Sequence, residues 1–186
     1  ALFENEKLIY SKVSSHLVHK NYGGVVPELA SREHDKILPQ LFKDCFKNLD
    51  ISSNELDLIA VTQGPGLAGS LISGASFAKG LSLALNIPII GINHLEAHIF
   101  ANILSEPKLS FPFICLLVSG GHTQLWHVEG LSKYKLLGET RDDAAGEAFD
   151  KGARILGLGY PGGPEIERYS KNGNPKMINF PRALME

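Results

Sequence analysis

The sequence predicts an α/β protein, because strand-like and helix-like segments alternate along its 186 residues. Two apolar runs, Asp57–Gln63 and Ile87–Asn93, have the length and composition of buried strands, and each precedes a segment with helical spacing. A glycine-rich turn, "GPGLAGS", joins the first of these strands to its helix. Hydrophobic residues at 44% and charged residues at 20% are typical of a folded globular chain and exclude a largely disordered one.

The amino-terminal segment predicts a hairpin followed by a long helix. Alternation over residues 2–15 predicts two strands that turn at "NE". Apolar residues recur at helical spacing over Glu28–Leu49, where Pro39 predicts a kink or a break. Ser52 or Ser53 then offers a cap for a short turn before the first buried strand.

Strand, helix, strand and helix in succession predict a parallel layer. Its helices are expected over Leu71–Leu85 and Leu95–Leu104. Two further strands, "PFICLLVS" and "TQLWHVE", are joined by a glycine pair and predict an antiparallel hairpin. Helices are predicted over Ala144–Leu156 and Pro164–Asn172.

A boundary is predicted between Ser105 and Pro112, which divides the chain into residues 1–109 and 110–186. A hairpin that leads into βαβ units, followed by a second such start, suits the actin and sugar-kinase architecture. In that architecture two related α/β halves clamp a nucleotide.

Charge and cysteine content restrict the class of protein. The formal net charge of −2 predicts no strong non-specific attraction to nucleic acid, so RNA would need a local patch or a partner. Cys45 and Cys115 lie among apolar neighbours and predict reduced, buried thiols. No secretory signal or membrane-spanning run is present, which favours a cytosolic protein. The most basic stretch combines Lys12, His16, His19, Lys20 and Arg32.

The segment "NHLEAHIFA" places two histidines one helical turn apart. His94 and His98 stand at i and i+4, so both rings project from one helix face, as two ligands of one transition metal do. A half-exposed polar face is the alternative. A zinc-protease motif needs glutamate directly after the first histidine, but Leu95 stands there, and Glu96 points about 200° away around the helix.

The segment "LLVSGGHTQLW" joins two strands through small residues. Ser119, Gly120 and Gly121 would let a phosphate approach backbone N–H groups, and the hydroxyls of Ser119 and Thr123 would add donors. A ligand-free glycine turn explains the same residues, and His122 fits either interpretation.

A short acidic region precedes a second glycine-rich segment, "YPGGP". Asp143 is expected to cap a helix, and clustered carboxylates could instead bind ribose hydroxyls or a hydrated metal. Gly162 and Gly163 are candidates for close ligand approach. The acidic cluster consists of Asp142, Asp143, Glu147 and Asp150.

Taken together and in this order, six segments resemble the TsaD family: "YGGVVPELASREH", "TQGPGLAGSL", "NHLEAH", "LLVSGGHTQL", "DDAAGEAFDK" and "YPGGP". These are the tRNA threonylcarbamoyladenosine synthases, once labelled O-sialoglycoprotein endopeptidases. The resemblance implies an actin-like ATPase (ASKHA) fold with two related α/β halves. It also implies one divalent metal per subunit, iron or zinc, held partly by His94 and His98.

The implied reaction transfers the threonylcarbamoyl group from threonylcarbamoyl-AMP to N6 of adenosine 37 in tRNAs that read ANN codons. The resemblance assigns substrate contacts to Asp150 of "AFDK", to Gly163 of "YPGG" and to the "LVSGG" backbone. That backbone comprises Leu117, Val118, Ser119, Gly120 and Gly121. No side-chain nucleophile is implied. The implied partners are an adenine nucleotide (threonylcarbamoyl-AMP or ATP), tRNA, a paralogous actin-like subunit and a small P-loop ATPase, with no membrane.

Departures from the family pattern predict an incomplete copy. The family's opening strand is not found before Ala1, and its later asparagine and metal-binding aspartate would follow Glu186. We therefore expect the chain on its own to bind metal weakly and to be inactive. Two other functions fit the fold: a non-catalytic paralogous scaffold subunit, which would lack the histidine pair, and a small-molecule kinase.

Overall fold

The computed structural model describes residues 1–15, 22, 24–47, 49 and 51–181. Three members of the predicted basic stretch, His16, His19 and Lys20, lie outside the described residues. The chain forms two compact units. Unit 1 comprises Ala1–Cys115 and Val128–Tyr134, and unit 2 comprises Leu116–His127 and Lys135–Glu186.

Unit 1 begins with the predicted hairpin. Strands β1 (Leu2–Glu4) and β2 (Lys7–Tyr10) pair antiparallel, and Asn5 adopts a positive φ of 54° at the turn. Asparagine tolerates this left-handed conformation better than most residues, which explains the turn. The hairpin prediction is confirmed, although the second strand ends at Tyr10.

Helix α1 (Pro27–Phe46) continues through Pro39, so of the two predicted outcomes the break is wrong, and the kink stays a prediction. Proline removes one N–H donor, but α1 packs along the next helix, α2 (Ala68–Leu85). Phe42 meets Phe77 of α2 edge-to-face with ring centroids 6.2 Å apart. Packing of this kind exceeds the local penalty of one lost hydrogen bond.

The parallel layer is confirmed as a βαβ unit. Strand β3 (Ile59–Gly64) pairs in parallel with β4 (Ile89–Asn93), and α2 connects them. A single 3-10 turn precedes β3, and Ser52 caps it through a reciprocal capping box with Glu55.

The two strands are less buried than their apolar sequences predict. Ile89 is 37% exposed and Ile90 45% exposed. Among the described residues only these two strands pair in this sheet, and so narrow a layer leaves apolar side chains uncovered. The expectation that both strands are buried is therefore wrong for this chain.

Helix α3 (His94–Ser105) follows β4 directly and confirms the second predicted helix. Its inward residue Ile99 is 1% exposed. The side-chain amide of Asn102 lies 3.8 Å from the Cys115 sulfur. Both cysteines are free thiols; Cys115 is buried as predicted, whereas Cys45 is half-buried. Burial raises the pKa of the Cys115 thiol.

A three-stranded sheet follows, with strand order β5 (Phe113–Val118), β6 (Thr123–Gly130) and β7 (Lys133–Glu139). The connections, residues 119–122 and 131–132, are far too short for parallel crossovers, so the neighbours are antiparallel as predicted for the first pair. Strand β7 was not predicted. Its sequence, KYKLLGE, has neither a continuous apolar run nor strict alternation, and its side chains are mostly exposed, so it gives no clear strand signal.

Helices α4 (Ala145–Ile155) and α5 (Gly162–Ser170) complete unit 2 and confirm the last two predicted helices, with α5 beginning two residues early. They cross closely at Gly162. A Cβ at this position would lie 2.6 Å from the Ala153 Cβ. Among the described residues, no helix combines the length and apolarity that crossing a bilayer requires.

Candidate functional site

The two predicted metal ligands lie on the first turns of α3 in unit 1. Asn93 caps this helix, its side-chain oxygen accepting from the N–H groups of Leu95 at 2.9 Å and Glu96 at 3.2 Å. His94 is the first helical residue, and His98 follows one turn later. Their ring centroids are 4.5 Å apart at an interplanar angle of 71°.

This separation fits a shared metal. A metal bound at about 2 Å by a ring nitrogen lies roughly 3 Å from that ring's centroid, so two ligand rings at angles of about 90–110° have centroids about 4.5–5 Å apart. The observed 4.5 Å falls in that range. An edge-to-face aromatic contact has the same dimensions, so the spacing alone does not require a metal.

Further ligands do not come from the described residues, among which no group of three or more His, Cys, Asp or Glu side chains converges. Two imidazoles supply half of a tetrahedral set. The pair can therefore hold a metal only together with ligands from elsewhere, such as substrate oxygen or water.

Glu96 turns away from the histidine pair, as its helical position predicts. Its Oε1 lies 3.3 Å from the hydroxyl oxygen of Ser132, in the turn between β6 and β7. Tyr134, two residues further along the chain, lies near the same carboxylate. The pKa of Tyr134 is raised, first by burial and then by the neighbouring charge of Glu96.

The predicted anion-binding loop in unit 2 is a self-closing turn. The Ser119 N–H donates to the His122 carbonyl at 2.8 Å, and the Ser119 hydroxyl oxygen accepts from the N–H groups of His122 at 3.0 Å and Gly121 at 3.3 Å. The Ser119 hydroxyl oxygen therefore holds the turn, and a contact of this hydroxyl with a phosphate stays a prediction. Within the described residues, the Gly120 N–H is the one amide of residues 119–122 that no hydrogen bond of the fold uses.

The outer side of this loop is open. A Cβ at Gly120 or Gly121 would meet no atom within 4 Å, and both glycines are exposed. Leu117 and Val118, which precede the loop at the end of β5, differ: the Leu117 side chain is buried, whereas Val118 is 54% exposed. No side chain therefore shields the Cα atoms of these two glycines from a ligand.

Helix α4 docks its first turn on the same loop. The Ala145 N–H donates to the Thr123 hydroxyl oxygen at 2.8 Å, and the Gly146 N–H donates to the Ser119 carbonyl at 3.1 Å. The Thr123 hydroxyl oxygen therefore caps α4 as an acceptor, and its predicted role as a hydrogen-bond donor to a phosphate stays a prediction. The prediction that Asp143 caps this helix is also wrong, since Ala144 is the N-cap residue and no side chain of its own caps the turn.

Gly146 is a site residue that sequence reasoning missed. A Cβ there would lie 2.7 Å from the Ser119 carbonyl oxygen and 2.9 Å from the Gly120 N and Cα, all backbone atoms. Only glycine allows the helix and the loop to approach this closely. The available signal was a glycine inside the first turn of a predicted helix, where it weakens the helix without an evident local reason.

The acidic cluster does not converge on one point. Asp143 and Glu147 both pair with Lys151, at 2.6 Å and 3.0 Å. Asp150 accepts instead from the Gly162 N–H at 2.7 Å, on a different side of α4. These carboxylates neutralise a lysine and bond to the first turn of α5, so the prediction of a metal site shared by the whole cluster is wrong for the described residues, and a substrate contact by Asp150 stays a prediction.

The two predicted ligand-facing glycines have different surroundings. Gly162 is buried, and its Cβ would collide with the Phe149 carbonyl and the Asp150 Cα at 2.7 Å, so its close approach is to α4 and not to a ligand. Gly163 is half-buried, and a Cβ there would meet nothing within 4 Å. A ligand contact at Gly163 stays a prediction.

Comparison with known proteins identifies relatives over nearly the whole chain. A family model described as "TsaD: tRNA N6-adenosine threonylcarbamoyltransferase" matches residues 7–186. A curated relative of that name from Thermosipho melanesiensis is 58% identical over all of this chain and 57% of its own length. Those from Kosmotoga olearia and Dictyoglomus turgidum are 53% and 57% identical, over 100% and 97% of this chain and 56% and 54% of their own.

The chain thus spans a little more than half the length of the curated relatives it matches. Among solved structures, YeaZ from Pseudomonas aeruginosa aligns with a TM-score of 0.41 and 19% identity, over 57% of this chain and 51% of that one. So loose a superposition adds nothing to the sequence relationship.

Proposed function

The chain belongs to the TsaD family, the tRNA N6-adenosine threonylcarbamoyltransferases, and we propose that it forms the metal- and nucleotide-binding part of such an enzyme. The family has the actin-like ATPase fold, and the α/β elements of the chain accord with it. The proposed reaction transfers the threonylcarbamoyl group from threonylcarbamoyl-AMP to N6 of adenosine 37 in tRNAs that read ANN codons.

The observation that carries the proposal is the histidine pair. His94 and His98 hold their rings 4.5 Å apart on one face of a capped helix. Imidazole suits iron and zinc, so one Fe2+ or Zn2+ per subunit is the proposed cofactor. When bound, the metal would supply Lewis-acid polarisation of the carbamoyl oxygen.

The loop at residues 119–122 would hold the phosphate. Its Gly120 N–H is not used by the fold, and the absence of side chains at Gly120 and Gly121 lets an oxygen approach. Ser119 would act through the turn that it closes, and the backbone of Leu117 and Val118 would extend the same contact surface.

Asp150 and Gly163 would contact the nucleoside. One Asp150 carboxylate oxygen, Oδ1, accepts from the Gly162 N–H, which fixes the orientation of the carboxylate. The Oδ2 atom would then accept from a hydroxyl of the substrate. Gly163, next to that anchored amide, offers backbone with no side chain in the way.

The transfer itself requires no side-chain nucleophile. The adenine amine attacks the carbamoyl carbon, a C–N bond forms, the bond from that carbon to the phosphate oxygen breaks, and AMP leaves with the electron pair. The amine proton passes to solvent or to the departing phosphate. Binding and orientation by the residues above would supply the acceleration.

tRNA, a paralogous actin-like subunit and a small P-loop ATPase are the proposed partners, and ATP is a second candidate nucleotide. The net charge of −2 supports a dependence on partners, because a chain without excess positive charge gains little from phosphate attraction alone.

The test is the nucleoside content of tRNA, measured by mass spectrometry in cells depleted of the full-length protein. Re-expression uses the wild type, the double variant His94→Ala, His98→Ala, or Ser105→Ala at the far end of the same helix as a matched control. Threonylcarbamoyladenosine should fall on depletion and return with the wild type and Ser105→Ala only. An unchanged level on depletion would reject the transferase and favour the scaffold or the kinase.

A further inference from the structure

The turn between β6 and β7 belongs to unit 1, although the rest of these two strands belongs mostly to unit 2. The segment Val128–Tyr134 begins with Val128, which is completely buried. Ser132 adopts a positive φ of 58°, a conformation that non-glycine residues hold only when their surroundings fix it. The segment is therefore anchored in unit 1 at Val128, whereas Leu131 and Ser132 in the turn itself are exposed.

The turn is attached to helix α3 through one carboxylate. The Ser132 hydroxyl donates to Glu96 Oε1 at 3.3 Å in an exposed contact, and the Tyr134 phenol lies near enough to this carboxylate for the charge of Glu96 to raise the pKa of Tyr134, after burial. Glu96 lies between the two histidines in sequence, and its N–H is held by the Asn93 cap at 3.2 Å. Main chain and side chain of this residue are thus both fixed.

The position of Glu96 matters because the two histidines differ in how readily the helix frays around them. His94 is the first residue of α3, where helices fray most readily, whereas His98 lies in the second turn. Fraying of the first turn would move the His94 ring away from His98. A protein metal site tolerates displacements of only about 0.5 Å in its ligands.

We propose that Ser132 and Tyr134, through Glu96, are positioning residues that hold the first turn of α3 closed and so preserve the spacing between His94 and His98. The consequence for metal binding rests on the proposed function. The effect on the first turn of α3 is independent of the proposed function, because it concerns contacts within unit 1 alone.

A purely electrostatic role of Glu96 makes a different prediction. If only its negative charge supported a nearby cation, removal of the Ser132 and Tyr134 hydroxyls would leave metal affinity unchanged, since the carboxylate stays. The hydroxyl variants Tyr134→Phe and Ser132→Ala therefore separate anchoring from charge.

The experiment uses the full-length protein with two measurements. Hydrogen–deuterium exchange of the metal-free protein follows the peptide that covers residues 93–99. Competition titration then gives the Zn2+ dissociation constant. The variants are Tyr134→Phe and the double variant with Ser132→Ala, and Tyr169→Phe on exposed α5 serves as the matched loss of a tyrosine hydroxyl.

The double variant should exchange about fivefold faster at the first turn of α3 and bind Zn2+ about three- to tenfold more weakly, with unchanged exchange in α1 and α2. Tyr169→Phe should change neither quantity. Unchanged exchange at residues 93–99, or acceleration spread over all of unit 1, overturns the inference. If His94→Ala, His98→Ala leaves Zn2+ affinity at the wild-type value, the proposed metal role fails, and the exchange result still decides the anchoring.

Discussion

Substitution of Gly146 by alanine tests the docking of α4 on the loop at residues 119–122. The new Cβ would start 2.7 Å from the Ser119 carbonyl oxygen and 2.9 Å from the Gly120 N and Cα, whereas ordinary contact begins at 3.4 Å. The obstructing atoms are all backbone, so no side chain can rotate to make room. Either the loop or the first turn of α4 must move, and the hydrogen bond from the Gly146 N–H to Ser119 moves with it.

Two opposing effects determine how far the free energy of unfolding of Gly146→Ala changes. Overpacking of a close contact costs about 1–3 kcal/mol. Alanine is favoured over glycine in a helix by up to about 1 kcal/mol, and by less in the first turn. The free energy of unfolding of Gly146→Ala should therefore fall by about 1–2 kcal/mol.

Urea unfolding measures this change, with Gly80→Ala as the matched control. Gly80 lies exposed in α2 and its Cβ would meet nothing within 4 Å, so the same substitution should stabilise by about 0.5–1 kcal/mol. Displacement of the Gly120 N–H should also weaken nucleotide binding in Gly146→Ala alone. A Gly146→Ala protein that gains stability as Gly80→Ala does would refute the steric reasoning.

Three further substitutions probe other contacts by urea unfolding. Gly162→Ala inserts a methyl group between α4 and α5 and should destabilise by about 1–3 kcal/mol, while Gly163→Ala, with open space, should not. Thr123→Val removes the acceptor for the first N–H of α4 and should cost about 1 kcal/mol, which Thr123→Ser should restore. Hydrogen bonds, the strongest from Lys12, hold the pKa of Asp44 well below its usual range. Because the pKa of Asp44 is lower in the folded state than in the unfolded state, the ionised carboxylate stabilises the fold fully above a pH of about 4. This contribution is lost as pH falls through the folded-state pKa, so the free energy of unfolding of Asp44→Asn should fall less steeply on acidification than that of the wild type.

Elements defined by local pattern were predictable from sequence. Apolar spacing located α2 and α3, and alternation located the hairpin with its turn at Asn5. Where local rules competed with packing, packing prevailed: Pro39 does not end α1, because that helix lies against α2. Strand β7 was missed, since an exposed strand has no apolar run and depends on its neighbour for hydrogen bonds.

In the candidate site, too, features set by local sequence were predictable, and features set by residues distant in sequence were not. The spacing of His94 and His98 follows from helical geometry and needs no structure. The partner of Glu96 is 36 residues away in sequence, and the hydroxyl that caps α4 comes from Thr123, 22 residues before its partner. Sequence rules for capping consider only adjacent residues, which is why Asp143 was assigned that role.

The discontinuity of unit 1 has a consequence for the order in which the protein is made. Its last segment, Val128–Tyr134, leaves the ribosome after most of β5 and β6 have been synthesised. Until then the helices of unit 1 are present without a buried part of their own core, Val128. Domains commonly fold in sequence from the amino terminus during translation. Unit 1 therefore cannot complete its core before Leu116–His127, a part of unit 2 that precedes Val128 in the chain, has been synthesised.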